Sequence, residues 1–322
     1  MKHLVLIVLL IALCLSIGPA AAEGSLPADK KLYTTDDVIS VPTLFRLPDK
    51  AYYEVPCEHP GTVVRLDYTT TQYGDERQNY VNVYLPYGYD ENADTHYPVM
   101  YFFHGTNETQ ESFITDDRAK NTLDHMIEYG VAPAYIMVFP TYYYDYETRT
   151  LSVDGFAAEL REDIMPLVES TYRTYAETTD QQGLNASRAM RAISGYSRGG
   201  RMTWQMFTRL QDIAYWFLPM SGAYTNPEDN PVEEDMVANL LNDLEAAAFT
   251  EPSYVYASCG GKRDLAFDGV TTVVSGLMET SGFSYGTDAS VNNLYYCLSN
   301  EIHQTLIGRY YLYNAFCDVL WK

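Results

Sequence analysis

Two short runs of unbroken apolar residues place the strongest constraint on how this chain folds. Residues 99–103 read VMYFF and residues 135–139 read YIMVF, and a segment with helical spacing lies between them at residues 119–129. A strand that is apolar at every position is typical of a parallel sheet with both faces buried. Strands joined through a helix in this way predict an α/β protein whose central, mostly parallel sheet is covered by helices on both faces.

The same alternation of strand and helix continues toward the end of the sequence. We predict strands at residues 189–193, 215–219, 254–258 and 293–298, and helices at residues 156–171, 199–210, 232–248, 270–279 and 309–320. Before the first buried run, residues 63–68 and 79–84 alternate apolar and polar side chains, which predicts half-buried strands at an edge of the sheet. Since no repeat or linker interrupts the pattern, we predict one domain over residues 61–322.

The segment before this domain has two parts. Residues 4–17 form an apolar run, and three alanines end at Ala22, which is the pattern of a signal peptide cleaved after that residue. The run is too short for a transmembrane anchor, and Leu13 stands where a small residue would precede a lipidated Cys14. We therefore predict that residues 1–22 direct secretion to the periplasm or the extracellular space. Residues 23–60 contain five prolines and are predicted to wrap the domain.

Composition and charge narrow the classes of partner. The chain is 47% hydrophobic, which excludes a disordered protein. Its 43 acidic and 21 basic side chains give a net charge of −22, which repels nucleic-acid phosphates and anionic lipid headgroups. We expect no nucleic-acid partner and no membrane partner after cleavage, and the oligomeric state stays open. The 30 tyrosines suit a surface that binds sugars or aromatic rings, because each combines an apolar face with a hydroxyl.

Four cysteines follow the predicted signal: Cys57, Cys259, Cys297 and Cys317. An even number in an exported chain permits disulfides, in three possible connectivities. Buried free thiols are the alternative, because a chain of this length does not need covalent links to be stable. Neither a C-x-x-C motif nor a neighbouring histidine pair accompanies the cysteines, so their spacing predicts no metal site.

The motif G-x-S-x-G at residues 195–199, which read GYSRG, carries the main functional signal. It falls between a strand predicted to end near Ile193 and a helix predicted to begin near Gly199. A sharp strand-to-helix turn at this place strains the backbone of the serine and lifts its hydroxyl above the sheet. We therefore predict that Ser197 is a nucleophile; the alternative is a glycine-rich turn that carries an ordinary serine.

A serine nucleophile of this kind is followed in sequence by an acid and a base. Of the six histidines only His303 lies after Ser197, so elimination selects it as the base. The acid is expected on the loop after the strand at residues 254–258, where Asp264 is the first carboxylate and Asp268 the second. In this arrangement His303 takes the proton of Ser197, and Asp264 orients the imidazole.

Backbone donors are needed for the negative oxygen that develops during acyl transfer. We expect one N–H from Arg198, directly after the nucleophile, and one from Thr106, in the loop after the strand at residues 99–103. His104 belongs to the same loop and is interpreted as a structural histidine, because such donors are backbone groups.

Tyrosines cluster just after the second buried run, where residues 141–146 read TYYYDY. Ligands bind at this edge of open α/β sheets. Tyr142 and Tyr143 are therefore candidates for an aromatic wall that contacts substrate, and the alternative is a loop that packs on its own rings. Tyr196, Tyr224 and Asn107 are further candidates for lining the site.

Four segments resemble a known family: YFFHG at residues 101–105, residues 154–172, GYSRGG at residues 195–200 and SCG at residues 258–260. They are similar to the feruloyl and acetylxylan esterases of carbohydrate esterase family 1, in the esterase D group of α/β hydrolases. The resemblance covers residues 61–321. It implies an α/β-hydrolase fold and a secreted, cofactor-free carboxylic-ester hydrolase that removes ferulate or acetate from plant-cell-wall xylan, and we expect feruloyl esterase activity on arabinoxylan. The family's catalytic residues map onto Ser197, Asp264 and His303.

Three positions depart from the family's pattern. Residues 106–108 read TNE where further glycines are common, Asp264 stands one residue farther from the Cys-Gly pair, and Gln304 follows His303 where an acidic residue is common. Acetylxylan esterase is the alternative within the same class. A non-catalytic carbohydrate-binding protein that keeps the hydrolase fold is the alternative from a different class.

Overall fold

The computed structural model of the chain describes residues 31–33, 43–90, 94–226 and 235–322. The predicted signal peptide at residues 1–22 lies outside these ranges, as do residues 23–30 and 34–42 of the predicted wrapping segment at residues 23–60. Within the ranges, no helix combines the length and the apolar character needed to cross a membrane.

The centre of the fold is an eight-stranded, mostly parallel sheet, as the sequence predicts. The strands are β1 (Lys31–Tyr33), β2 (Thr43–Phe45), β3 (Thr62–Thr70), β4 (Arg77–Leu85), β5 (Val99–Phe103), β6 (Ile136–Phe139), β7 (Arg191–Tyr196), β8 (Trp216–Met220), β9 (Tyr254–Cys259) and β10 (Leu294–Leu298). Their order in the sheet is β10-β9-β8-β7-β5-β6-β4-β3, and β1 and β2 form a separate antiparallel pair. Neighbours from β10 to β6 are parallel, whereas β4 is antiparallel to both β6 and β3.

Only one of the two predicted edge strands lies at the edge. The side chains of β3, the outermost strand, are mostly exposed or half-buried. The second half of β4, residues 81–85, is buried because β4 also pairs with β6. The alternating pattern therefore identified both strands, but the burial of β4 depends on a strand that follows much later in the chain.

Helices cover both faces of the sheet. They are α1 (Ala51–Glu54), α2 (Asp117–Glu128), α3 (Val153–Glu159), α4 (Met165–Thr171), α5 (Gln181–Ala186), α6 (Arg198–Phe207), α7 (Met236–Ala247), α8 (Phe267–Met278) and α9 (Gly308–Asp318). The single helix predicted at residues 156–171 is α3 and α4 joined by a π-helical turn, Leu160–Ile164. The short helix α5 was not predicted; the Asp180 side chain caps it by accepting the Gly183 N–H.

Two separate cores follow from the alternation of side chains along the strands. Met100 and Phe102 of β5 pack in the core that includes residues of α2 and α9. Tyr101 and Phe103 of the same strand belong to the core formed with α3, α6 and α8. Successive side chains of a strand point to opposite faces, so a strand that is apolar throughout contributes to both cores.

The described part of the N-terminal segment packs beside β10 and α9. The Leu44 N–H donates to the Tyr295 hydroxyl at 3.0 Å, and the Arg46 N–H donates to Asn314 Oδ1 at 2.7 Å. The four cysteines that follow the predicted signal are separate thiols, which is the alternative to disulfides considered above, and Cys57, Cys259 and Cys297 are buried.

Candidate active site

The predicted nucleophile occupies a sharp turn between β7 and α6. β7 extends to Tyr196 and α6 begins at Arg198, so the strand and the helix flank Ser197 directly instead of ending near Ile193 and starting near Gly199. Ser197 has φ 57° and ψ −115°, a backbone conformation that is rare for a residue with a side chain. Its N–H donates to the Met220 carbonyl at 2.8 Å, which fixes the turn against the end of β8.

Two glycines allow this turn to form. A Cβ at Gly195 would lie 2.5 Å from the Gly199 carbonyl oxygen and 2.8 Å from the Phe103 Cβ. A Cβ at Gly199 would lie 2.3 Å from the Phe103 carbonyl oxygen. Any side chain at either position would push α6 away from β5, so the motif's glycines are required by close packing.

The structure brings Ser197, His303 and Asp264 together in one hydrogen-bonded chain. His303 Nε2 lies 2.8 Å from Ser197 Oγ, and His303 Nδ1 lies 2.7 Å from Asp264 Oδ1. A carboxylate only accepts hydrogen bonds, so Nδ1 carries the proton and Nε2 accepts from the serine hydroxyl. This is the arrangement in which a histidine can remove the proton of the serine.

Asp264 is held by donors besides His303. Ser221 Oγ donates to Asp264 Oδ2 at 2.7 Å, the Gly260 N–H donates to the same oxygen at 3.2 Å, and the Ala266 N–H donates to Oδ1 at 2.9 Å. Burial works to raise the pKa of the Asp264 carboxyl, but the hydrogen bonds from His303, Ala266 and Ser221 hold this pKa below its ordinary value. The carboxylate is therefore ionised and fixed in position.

Sequence reasoning missed Ser221 and left Asp268 open as the acid. Ser221 follows β8 directly, so its place at the same edge of the sheet was the available signal. Its φ is 48°, and its N–H donates to the Ser258 carbonyl at 2.7 Å. Asp268 lies in the first turn of α8 with an exposed side chain, whereas the side chain of Asp264 is fully buried against His303.

The loop after β5 carries the predicted oxyanion donor. Thr106 and Asn107 line a cavity of about 310 Å³ together with Ser197 and His303. The Gly105 N–H donates to Glu108 Oε2 at 2.7 Å, and the Glu108 N–H returns to the Gly105 carbonyl at 3.2 Å. In this small turn the Gly105 N–H is already bonded to Glu108, so Thr106 is the next backbone donor in the loop.

The other predicted donor, Arg198, is the first residue of α6. Backbone N–H groups in the first turn of a helix point out of its N-terminus and make no bond within the helix. Glu108, Gln304 and Thr305 also line the cavity, and sequence reasoning did not select them as site residues. Residues 106–108 read TNE where the family commonly has glycines, and this departure could have identified Glu108 as a residue of the cavity.

Two of the tyrosines predicted to contact substrate hold this loop in place through their hydroxyls. Tyr142 is fully buried, and its hydroxyl donates to the His104 carbonyl at 2.8 Å. Tyr143 is 3% exposed, and its hydroxyl donates to the Thr106 carbonyl at 2.9 Å. The interpretation of Tyr142 as an aromatic wall is therefore wrong, because its ring packs in the core and not at the surface.

The remaining candidates are divided between two places. Tyr196 lines the cavity with Ser197, but it is 1% exposed. Its ring centroid lies 5.2 Å from that of His303, so Tyr196 packs against the imidazole. Tyr224 does not reach this cavity. It is buried, and its hydroxyl donates to Asp243 in a different pocket beside α7.

His104 is a structural histidine, as interpreted from the sequence. Its Nδ1 lies 2.8 Å from the Gly105 carbonyl oxygen and its Nε2 lies 2.8 Å from Thr141 Oγ1. The ring stacks on Tyr142 with centroids 4.5 Å apart. Burial lowers the pKa of His104 to about 4, so the ring is neutral near pH 7.

One group of potential metal ligands was not visible in the sequence spacing. Cys57, His125 and Glu128 each place a ligand atom within 4.8 Å of the others, and no second group of this kind occurs in the ranges that the structure describes. The Cys57 thiol donates to Glu128, while His125 Nδ1 lies 2.8 Å from the Asn121 carbonyl oxygen. Burial and the neighbouring Glu128 raise the pKa of Cys57 to about 12, which favours the thiol over the thiolate that binds metals.

The mostly parallel sheet, the strained serine between β7 and α6, and the Ser-His-Asp chain define a carboxylic ester hydrolase of the α/β-hydrolase class. The family described as "Putative esterase" matches residues 75–209. Endo-1,4-beta-xylanase Y of Acetivibrio thermocellus is 31% identical over 268 residues, which are 82% of this chain and 23% of that protein. The endo-1,4-beta-xylanase/feruloyl esterase of Xylanibacter ruminicola is 27% identical over 192 residues, or 57% of this chain and 23% of that protein.

Solved structures show the same relationship. A serine-to-alanine mutant of the feruloyl esterase module from Clostridium thermocellum, complexed with sinapinate, is 29% identical with a TM-score of 0.75, covering 86% of this chain and 94% of that one. A ferulic acid esterase of carbohydrate esterase family 1 from Anaeromyces mucronatus shares the fold, at 21% identity and a TM-score of 0.61, over 85% of this chain and 96% of that one. The chain is therefore similar over most of its length to esterases of the α/β-hydrolase class, a feruloyl esterase module among them. It spans about a quarter of the length of the curated relatives, 23% in each case.

Proposed function

We propose that the protein is a feruloyl esterase that releases hydroxycinnamates from feruloylated arabinoxylan through an acyl-enzyme on Ser197. The hydrogen-bonded chain of Ser197, His303 and Asp264 carries the proposal, because it activates a serine hydroxyl without any cofactor. The 29% identity to a feruloyl esterase module supports the acyl group. Similarity to two relatives named as xylanases supports the polysaccharide.

In the first half of the reaction, Ser197 Oγ attacks the carbonyl carbon of the ester while its proton passes to His303 Nε2. Asp264 stabilises the imidazolium through the Nδ1 hydrogen bond. The tetrahedral intermediate then expels the sugar oxygen, which takes the proton from His303, and the feruloyl group stays on Ser197. In the second half, water gives a proton to His303 Nε2 and attacks the acyl carbon. The bond from that carbon to Ser197 Oγ then breaks, the serine oxygen takes the proton back from His303, and ferulate leaves.

The negative oxygen of each tetrahedral intermediate accepts hydrogen bonds from the Arg198 and Thr106 N–H groups. The position of Arg198 at the start of α6 supports its part. The Gly105–Glu108 turn and the anchoring of the Thr106 carbonyl by Tyr143 support the part of Thr106. Such donors act because they are already oriented before charge develops.

The test is ferulate release from methyl ferulate and from feruloylated arabinoxylan by the purified protein, with acetylated xylan as the comparison substrate. We expect turnover of both feruloyl esters, and a loss of at least about 10⁴-fold in kcat in Ser197→Ala. A fluorophosphonate should label the wild-type protein and not this variant. Activity that survives in Ser197→Ala, or faster turnover of acetylated xylan than of any hydroxycinnamate ester, would contradict the proposal.

We also propose that the enzyme is exported, since its polysaccharide substrate lies outside cells. The apolar run at residues 4–17 and the alanines before Glu23 support cleavage after Ala22. The expected result is a protein outside the cytoplasm whose first residue is Glu23. An uncleaved chain found only in the cytoplasm would contradict export and leave the esterase activity untouched.

A further inference from the structure

We propose that a groove beside the catalytic cavity binds the neutral xylan chain of the ester substrate; this rests on the proposed function for the identity of the sugar. The groove has a volume of about 550 Å³, which lies in the range of small-molecule sites, about 300–1,000 Å³. We call it the tyrosine groove. Its lining residues are Thr70, Tyr73, Arg77, Gln78, Asn79, Tyr80, Thr109, Gln110, Thr141, Tyr143, Tyr144 and Tyr146.

The chemistry of this lining suits a sugar better than the acyl ring. Each of these side chains carries a hydroxyl, an amide or a guanidinium, and none is aliphatic. Five of them are tyrosines, whose flat rings can contact the C–H face of a sugar while amides and hydroxyls bond its oxygens. A slot for a feruloyl ring alone would need fewer polar groups, because each one left without a partner costs binding energy.

Buried contacts hold the walls of the tyrosine groove in place before any ligand binds. Glu159 is 1% exposed and accepts from the Tyr73 hydroxyl at 2.6 Å and from Asn79 Nδ2 at 3.2 Å. The Tyr73 ring stacks on Tyr144 with centroids 4.8 Å apart. A wall that is already ordered loses less conformational freedom when ligand binds, which favours affinity.

The charges around the groove favour a neutral ligand. Arg77 is the one ionic side chain in the lining, and its Nε donates to Asp75 at 2.8 Å while Nη1 donates to the Tyr144 carbonyl at 2.9 Å. The net charge of −22 works against an acidic polysaccharide. A chain of uncharged xylose units needs no counter-ion from the lining and is not repelled by the net charge.

Tyr143 connects the tyrosine groove to the catalytic cavity. Its ring lines the groove, while its hydroxyl bonds the Thr106 carbonyl and accepts from Arg198 Nη1 at 3.3 Å. Thr109 and Gln110 of the groove follow Asn107 and Glu108 of the cavity along one loop. A sugar chain in the groove would therefore present an ester to Ser197 from the side of this loop.

The test compares Tyr146→Ala with wild type on two esters: a feruloylated arabinoxylo-oligosaccharide and methyl ferulate. Tyr146 is 46% exposed, so the substitution should not disturb folding. We expect KM for the oligosaccharide ester to rise about tenfold relative to KM for methyl ferulate. Tyr175→Ala is the matched control, because Tyr175 is 44% exposed and lies outside the groove. It should leave the ratio of the two KM values unchanged.

Calorimetry with xylohexaose separates this proposal from the proposed function. Binding should occur in Ser197→Ala and be lost in Ser197→Ala/Tyr146→Ala. If the wild-type protein cleaves neither ester but Tyr146→Ala abolishes xylohexaose binding, the tyrosine groove stands and the esterase proposal fails. If methyl ferulate is cleaved but xylohexaose does not bind and the KM ratio does not change, the groove proposal is overturned. An equal rise in KM for both esters would also overturn it, because the groove would then hold the acyl ring.

Discussion

His303 Nε2 lies 2.8 Å from Ser197 Oγ, although the two residues are 106 positions apart in the chain. Ser197 stands at the end of β7, while His303 stands in the loop after β10, at the far side of the sheet. Ser221 and Asp264 follow the intervening strands β8 and β9. Asp264 bonds Nδ1 of His303, on the opposite side of the ring from Ser197, and Ser221 bonds Asp264. The reactive geometry is therefore produced by the parallel sheet, whose carboxyl ends bring four loops to one edge.

Asp264→Asn should lower kcat on methyl ferulate by about 10⁴-fold, because an amide at this position can hold the wrong tautomer of His303. The fold should be retained, since the substitution keeps the shape of the side chain. Asp268→Asn is the matched control and should keep wild-type activity, because the side chain of Asp268 is exposed on α8. Steady-state kinetics of both variants decide between the two acids. Loss of activity in Asp268→Asn alone would contradict this assignment.

Tyr143→Phe should reduce kcat on methyl ferulate by about tenfold with little change in KM. The substitution removes the hydrogen bond that holds the Thr106 carbonyl, and a small displacement of a catalytic group is costly. Tyr135→Phe is the control, since the Tyr135 hydroxyl is buried and finds no hydrogen-bond partner among the described residues. A rise in KM with unchanged kcat in Tyr143→Phe would instead indicate direct contact with the acyl group.

His104 should make the stability of the protein depend on pH. Burial lowers its pKa to about 4 in the folded state, against 6.5 when the chain is unfolded, so the unfolded state binds the proton more readily. The stability contribution of neutral His104 is fully present above pH 6.5 and is lost as the pH falls toward 4. We expect the free energy of unfolding to fall by about 2 kcal/mol between pH 8 and pH 5 from this group.

Urea unfolding of His104→Gln at the two pH values measures this effect, because glutamine cannot titrate. The variant should lose about 2 kcal/mol less than wild type between pH 8 and pH 5. His96→Gln, at an exposed histidine, should keep the wild-type dependence. Equal pH dependence in all three proteins would show that His104 is not the titrating group.

Arg191→Ala should destabilise the protein by about 3–5 kcal/mol, because it leaves Glu169 buried without its counter-ion. The two side chains are 1% and 2% exposed, and Arg191 Nε and Nη2 donate to the carboxylate at 2.6 and 2.7 Å. Arg118→Ala removes an exposed partner of Asp116 and should leave the unfolding midpoint in urea close to wild type. Similar midpoints for both variants would mean that the buried pair is not important for stability.

The fold was predictable because its central strands are apolar at every position. β5 and β6 are buried throughout, as VMYFF and YIMVF predicted. The boundaries of β7 were less predictable, because its last residues include a buried serine and a buried glycine. The Ser194 hydroxyl donates to the Leu218 carbonyl of β8, and Gly195 packs closely against Phe103 and α6. Local propensity cannot register that packing, so the strand was predicted to end too early.

By itself, the sequence determined the class of sheet and selected the candidates for nucleophile and base. The motif at residues 195–199 and the single histidine after it were sufficient for Ser197 and His303. Only the tertiary structure decided between Asp264 and Asp268 as the partner of His303. Only the tertiary structure showed that the Ser221 hydroxyl donates a hydrogen bond to Asp264. It also buried Tyr142, while leaving Tyr146 at the surface. The physical reason is that a side chain's role depends on which distant residues exclude water from it or form hydrogen bonds with it. Spacing along the chain predicts which face of a helix or strand a residue lies on, but it does not specify those distant contacts.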